Sequence, residues 1–189
     1  MFAPIFFVEK LGCTPAAAGA YIAAASSINI PGQFVVGTME SLLINMGFTT
    51  LTIRRWSTGV GGLLCSAFAL LYASADTPRQ AVRALIGYSC SHLLHESGQF
   101  ANFMELGGED TALLTSVANS LANIPAIAVP PIGLALQSYF QGSWLPQFAL
   151  GAALQSATAL LWLRYCSVTP ARKLLAVQDA KKAKEGKSQ

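Results

Sequence analysis

The sequence has little charge. Only 11% of its 189 residues are Asp, Glu, Lys or Arg, whereas a soluble domain carries about 25%. Hydrophobic residues make up 53% of the chain, and the mean hydropathy is +0.47. Several uncharged runs have lengths close to the roughly 20 residues that a helix needs to cross a bilayer. The composition therefore excludes an ordinary soluble domain and indicates a membrane protein.

Catalytic patterns are also lacking. The chain contains no nucleophile elbow, phosphate loop or dinucleotide fingerprint. Its four cysteines are scattered singly, without the spacing of a disulfide framework or a zinc site. We therefore predict no enzyme, no cofactor and no metal. The net charge of +3 is explained by membrane topology, so we also predict no nucleic-acid partner.

The run "HLLHE" (92–96) is the one place where a metal ion comes into question. Two histidines three residues apart, His92 and His95, could both reach one ion. The run is neither HExxH nor its inverted form, however, and no third ligand has an obvious spacing. A histidine satisfied by a neighbouring helix and a histidine with a proton-coupled role both remain open.

Strand alternation is absent, and only helices or closed barrels satisfy backbone polar groups in lipid. We therefore predict an all-α fold, a polytopic membrane helix bundle over residues 1–168 followed by a cytoplasmic basic tail over 169–189. Residues 2–8 are apolar but too short to cross a bilayer, and they lack the basic start of a signal peptide. We expect the chain to begin inside a transmembrane segment. Five full spans follow, at 16–39, 56–75, 81–104, 111–136 and 145–168.

Lysine and arginine set the expected orientation. Alternating the five spans places nine of these cations on one side of the membrane and three on the other. The positive-inside rule makes the richer side, and with it the C-terminus, cytoplasmic. The nine are Arg54, Arg55, Arg164, Arg172, Lys173, Lys181, Lys182, Lys184 and Lys187, and the three are Lys10, Arg79 and Arg83.

Polar side chains inside spans are costly in lipid and commonly face a cavity. One cluster lies at 88–106, where His92, His95, Glu96 and Gln99 share a helix face that Asn102 extends. A second lies at 115–131, where two asparagines one turn apart accompany three prolines that free backbone carbonyls or bend the helix. Polar groups beside an interrupted helix are typical of the midplane sites of transporters.

Four stretches resemble one family. They are "GFTTLTIRR" (47–55), "SGQFANFMEL" (97–106), "NSLANIPAIAVPPIG" (119–133) and, less closely, "GAYIAAA" (19–25). In order and spacing they resemble the C-terminal six-helix half of a major facilitator superfamily transporter with its first helix truncated. The nearest likeness is the anion:cation symporter branch, which includes sialin, the vesicular glutamate transporters and the sodium–phosphate cotransporters.

This resemblance implies secondary active transport of an organic or inorganic anion, of phosphate or carboxylate type, coupled to a proton or sodium. The implied partners are that anion, the coupling ion, the lipid bilayer and a missing N-terminal half. We expect four polar residues to line the substrate cavity, two to contribute to coupling and three to form a cytoplasmic gate or anchor. In that order they are Ser97, Asn102, Asn119 and Asn123; His95 and Glu96; and Glu40, Arg54 and Arg55.

Departures from the family pattern leave an alternative open. The acid of the G-x-x-x-D loop motif comes one position early, at Glu40, and the tenth-helix His–x–Asp pair is replaced by Phe103 and Glu105. The N-terminal half, which by resemblance supplies most anion-binding charges, has no counterpart in these residues. The alternative is a non-transporting membrane protein, either a degenerate or a self-associating half-transporter.

Overall fold

The structure is a computed structural model that describes residues 3–170 and 172–173. Within those residues it contains helices and no strand, which confirms the all-α prediction. The apolar stub at 2–8 is helical from Ala3 onward. Most of the predicted basic tail at 169–189 lies outside the described residues. The helices are α1 Ala3–Glu9, α2 Pro15–Ser26, α3 Asn29–Asn45, α4 Thr50–Ala73, α5 Pro78–Gly107, α6 Thr111–Tyr139 and α7 Leu145–Tyr165, with a short 3₁₀ turn Gly108–Asp110 between α5 and α6.

Local sequence explains where three of these helices start. Thr14, Thr49 and Thr77 each lie in extended backbone before a helix, and each side chain accepts a hydrogen bond from a backbone N–H of the first turn. At α5 the cap is reciprocal, because the Gln80 side chain accepts from the backbone N–H of Thr77. Pro78 follows at the first helical position, where its missing N–H costs nothing.

The first predicted span, 16–39, is divided into two helices. The break falls at Ser27 and Ile28, between α2 and α3. Pro31 has no N–H to donate to the carbonyl four residues earlier, that of Ser27. The Ser27 hydroxyl instead donates to the carbonyl of Ala24, within the last turn of α2. A proline near the start of α3 therefore accounts for the break.

The prolines of α6 have a smaller effect than Pro31 of α3. Helix α6 runs without interruption from Thr111 to Tyr139, through Pro125, Pro130 and Pro131. The interruption that these prolines suggested does not occur. They still lack the N–H groups that would bond to the carbonyls four residues earlier, so those carbonyls are freed within an intact helix.

Glycines allow α4, α5 and α7 to approach closely. A methyl group added at Gly61 of α4 would lie 2.7 Å from the backbone nitrogen of His95 on α5. One added at Gly62 would lie 3.0 Å from the Cβ of Ala159 on α7. Backbones in such close contact are typical of helix packing in lipid, where small residues line the interfaces. The glycine-rich run at 59–64 therefore lies at the contacts of α4 with α5 and α7.

Aromatic rings hold α1 against the end of the bundle where α4 finishes. Phe6 and Phe7 are fully buried, and the Phe6 ring lies 4.5 Å from that of Tyr72 on α4 and 5.5 Å from that of Trp144 before α7. Lys10, just after α1, donates to the carbonyl of Ala73 at 2.9 Å. Helix α1 is thus docked at the end of the bundle where α4 finishes.

Two helical segments are long and apolar enough to cross a membrane by length and composition, within the described residues. They are Thr50–Ala73 and the continuous stretch Pro78–Tyr139, which contains α5 and α6. These segments cover three of the five predicted spans. Membrane crossing by all five spans stays a prediction.

The described cations separate between the two ends of the bundle. Arg54 and Arg55 begin α4 beside the end of α7, because the Trp162 indole donates to the carbonyl of Arg54 at 3.1 Å. Lys10 lies at the other end, within 3.9 Å of the Asp76 carboxylate. This separation is the one the charge count predicts, although the four lysines from 181 onward lie outside the described residues.

Membrane-impermeant thiol labelling tests the resulting topology. In a variant without native cysteines, Met46→Cys and Ser188→Cys should react from the same, cytoplasmic side. Asp76→Cys and Ser143→Cys, in exposed turns at the opposite end, should react only from the other side. Reaction of positions 46 and 188 from opposite sides would contradict the predicted number of spans.

Candidate functional site

A buried ion cluster joins three helices at one end of the bundle. The Arg54 guanidinium of α4 donates to Glu40 of α3 at 2.6 Å and to Glu105 of α5 at 3.0 Å. Arg54 is 8% exposed and Glu40 4% exposed. Two carboxylates therefore share one cation away from solvent. Charges of this kind are tolerated only when they are paired, and removing one partner is strongly destabilising.

The cluster brings together two of the three residues expected to form a gate or anchor, Glu40 and Arg54. Its third member, Glu105, was missed as a partner because the sequence places it in an acidic connector, where charges are usually solvated. Acidic residues next to the predicted spans are few, and this rarity was the signal that could have identified Glu105 as a partner of Arg54. One oxygen of each carboxylate, Oε1 of Glu40 and Oε2 of Glu105, is buried without a hydrogen-bond partner among the described residues.

Arg55, the third expected gate residue, points to α7 rather than to the acids. Its guanidinium donates to the backbone carbonyl of Cys166, just past α7, at 3.1 Å. Asn102 of α5 makes a parallel contact, because its amide donates to the carbonyl of Ser167 at 2.7 Å. Asn102 is 1% exposed and is occupied in holding the chain after α7. This geometry favours a packing role for Asn102 over the expected contact with substrate.

His95 is held between two neighbouring helices. Its Nδ1 lies 2.9 Å from the backbone carbonyl of Thr58 on α4, and its Nε2 lies 3.4 Å from the Gln155 amide nitrogen on α7. A carbonyl can only accept, so Nδ1 carries the proton and donates, and Nε2 is left to accept from Gln155. Both ring nitrogens are thus satisfied in the neutral ring. The geometry favours the satisfied histidine among the two roles left open by the sequence.

Glu96 has one partner on α3, Gln33, and one on its own helix α5, His92. One carboxylate oxygen accepts from the Gln33 amide of α3 at 3.3 Å and lies 3.4 Å from Nδ1 of His92. The side chains of His92 and Glu96 are 40% and 37% exposed. The Tyr88 ring stacks on that of His92 at 5.7 Å. A half-open polar patch therefore lies between α3 and α5, and sequence reasoning did not assign Gln33 to it.

Asn119 and Asn123 lie on exposed parts of α6, one turn apart. Neither amide has a hydrogen-bond partner in the part of the chain that the structure describes. Ser97 of α5 is half-buried and likewise has no side-chain partner there. Large apolar side chains surround the asparagines on α6, including Leu121 and Ile124. Unpartnered amides on an apolar helix require water, a ligand or another protein surface.

A cavity of about 390 Å³ opens among α1, α4, α5, α6 and α7. None of the nine predicted site residues lines it. Gln147 of α7 does, and both polar atoms of its amide are buried without a partner among the described residues. Gln155 and Tyr88 add two further polar groups to a largely apolar wall. The sequence carried no signal for this cavity, because its lining comes from helices far apart along the chain.

Metal binding finds no support in the geometry of residues 3–170 and 172–173. No group of three or more His, Cys, Asp or Glu side chains there could hold an ion. In particular, His92 and His95 turn to different partners rather than to a common point.

Comparison with known proteins adds one relative. The chain is 26% identical over 132 residues to the voltage-gated purine nucleotide uniporter SLC17A9 of Homo sapiens. The matched region covers 68% of this chain and 29% of that protein, so the chain spans less than a third of its relative's length. No family model and no solved structure matches the chain. The similarity to a membrane transporter and the apolar helices support an integral membrane protein.

Removing the Arg54 guanidinium should expose the energetic role of the ion cluster. Arg54→Gln leaves two carboxylates facing each other with no cation, so we expect the free energy of unfolding to fall by about 3–5 kcal/mol. The measurement is denaturant unfolding of the purified chain in detergent, followed by tryptophan fluorescence.

Arg164→Gln is the matched control, because Arg164 lies exposed in the last turn of α7. It should change the free energy of unfolding by no more than about 0.5 kcal/mol. Equal losses for the two variants would show that the buried cluster does not stabilise the bundle.

Proposed function

We propose that the chain is the C-terminal half of a secondary active transporter that moves organic or inorganic anions across a membrane. The observation that carries this proposal is the pair of unpartnered amides, Asn119 and Asn123, on an otherwise apolar α6. If this face of α6 met lipid, each amide would lose its hydrogen bonds at a cost of up to several kcal/mol. A polar cavity shared with a second half satisfies both.

The distribution of charged residues supports a substrate site shared with a second half. Helix α6 contains no charged residue, and in the described part of α5 beyond Arg83 there is no lysine or arginine. This half therefore offers neutral hydrogen-bonding groups, Asn119, Asn123 and Ser97, to a substrate. The cations that balance a bound anion are assigned to the N-terminal half, as the family resemblance implies.

A phosphate-type anion is the favoured substrate class. The relative is named for purine nucleotides, which are organic phosphates, and the family resemblance includes phosphate transporters. Amide and hydroxyl donors suit the oxygens of such an anion. Carboxylates share the same chemistry and form the comparison arm of any uptake assay.

Coupling to a proton or sodium is assigned to Glu96. Its carboxylate is half-exposed between α3 and α5, and its partners, His92 and Gln33, lie one on each of these helices. His95, the other coupling candidate, is already satisfied by the Thr58 carbonyl and Gln155. The relative is named a voltage-gated uniporter, so uptake driven by voltage alone would remove the coupling role from Glu96.

The alternative of a non-transporting or self-associating half leads to a different result in reconstitution. The isolated chain in proteoliposomes should show no saturable anion uptake, because it supplies only one wall of the cavity. A fusion that places this chain after the N-terminal part of the human relative should take up nucleotide or phosphate. Saturable uptake by the chain alone would favour the self-associating half. A folded but inert fusion would favour the non-transporting protein.

Substituting Asn119 tests the substrate site directly. In the transporting fusion, Asn119→Ala removes a hydrogen bond to a charged ligand, worth roughly 1.5–3 kcal/mol. Apparent affinity should therefore fall about tenfold or more, at about 1.4 kcal/mol per decade. The measurement is the substrate concentration at half-maximal uptake, together with the amount of protein in the membrane.

The matched control is Asn45→Ala, in the exposed last residue of α3. It should leave apparent affinity unchanged. If Asn119→Ala lowers only the amount of protein and leaves affinity intact, Asn119 bonds to a neighbouring helix and does not belong to the site.

A further inference from the structure

Helix α6 is loosely attached to the rest of the bundle. Among its described residues only Gly133 is buried, whereas α4 contributes ten buried residues to the packed helices around it. It begins directly after the turn Gly108–Asp110, where Gly108 has a φ of +52°. Asp110, the residue before α6, makes no side-chain cap to the helix. Few contacts therefore fix the direction in which α6 leaves α5.

One charged contact does reach the start of α6. Arg172, which lies beyond α7, donates to both carboxylate oxygens of Asp110, at 2.7 and 2.9 Å. It also donates to Glu109 at 3.0 Å. These two acids belong to the turn between α5 and α6. The hydrogen bonds that Arg172 donates to Asp110 raise the pKa of Arg172 above its ordinary value, so the cation persists at any physiological pH.

The chain that carries Arg172 is itself anchored to the packed helices. Arg55 of α4 holds the carbonyl of Cys166, and Asn102 of α5 holds the carbonyl of Ser167. Arg172 follows this anchor by only five positions in the sequence and reaches the turn before α6. The Arg172 guanidinium therefore connects this anchored segment to the carboxylates of Glu109 and Asp110 in the turn. This arrangement links a fixed part of the molecule to a loosely held helix.

We propose that Arg172 is a positioning residue for α6. Its ion pairs with Glu109 and Asp110, called here the latch, hold the first turn of α6 against the segment after α7. When the latch opens, α6 moves about the turn Gly107–Asp110 and carries Asn119 and Asn123 with it. The consequence for transport rests on the proposed function. The effect of the latch on the position of α6 does not.

The position of α6 can be measured without any transport assay. Spin labels at Met46→Cys and Leu113→Cys, in a full-length chain without native cysteines, report the distance from the end of α3 to the first turn of α6. Both sites are exposed and lie at the same end of the bundle. Arg172→Glu should raise the population away from the main distance roughly two- to tenfold, the range expected for two exposed ion pairs. Lys173→Glu makes the same change of charge at the next residue and should leave the distribution unchanged.

Two further measurements separate a latch from a general loss of structure. Arg172→Gln and Asp110→Asn should each broaden the distribution, and the double variant should broaden it no further than Arg172→Gln alone, because loss of the guanidinium already removes the pair with Asp110. Salt of about 1 M, which shortens the screening length to about 3 Å, should broaden the wild-type distribution but not that of Arg172→Glu. An unchanged distribution in Arg172→Glu, additive effects in the double variant, or an equal effect of Lys173→Glu would each overturn the proposal.

Discussion

The guanidinium of Arg54 is the interaction on which one end of this bundle depends. It lies between Glu40 and Glu105, so the end of α3, the start of α4 and the end of α5 meet at one point. The backbone carbonyl of the same residue accepts from Trp162, which adds α7 to the junction. A buried cation cannot be left unpaired, so the ends of α3, α4, α5 and α7 must stay in register while these contacts last.

Above this junction the helices are packed unevenly. Helix α4 meets the backbone of α5 at Gly61 and the Ala159 side chain of α7 at Gly62, which allows little sliding without a clash. Helices α3 and α6 lie outside this rigid group and expose both apolar and polar side chains, among them Asn119 and Phe34. Helix α3 is tied to the junction through Glu40, whereas α6 has only one buried residue among those described and is the less tightly packed of the two.

The candidate site was only partly readable from the residues. Asn119 and Asn123 share a face because they are four residues apart on one helix, and that spacing is visible in the sequence. The fate of Asn102 and His95 was not visible, because both are consumed by contacts with carbonyls on α4 and beyond α7. The Glu105 partner of Arg54 was hidden in the same way, since 51 residues separate the two.

The sequence by itself determined the class of structure. Scarce charge and long apolar runs impose helices in a membrane, and threonine and proline at particular positions decide where several of them begin. The division of the first predicted span also has a local cause, Pro31, although it was not foreseen. Only the tertiary structure decided which polar groups are free. A side chain is available for a ligand when no neighbouring helix satisfies it, and that depends on distances between residues far apart in the chain. Those distances follow from how small residues let the helices approach, and no local pattern records them.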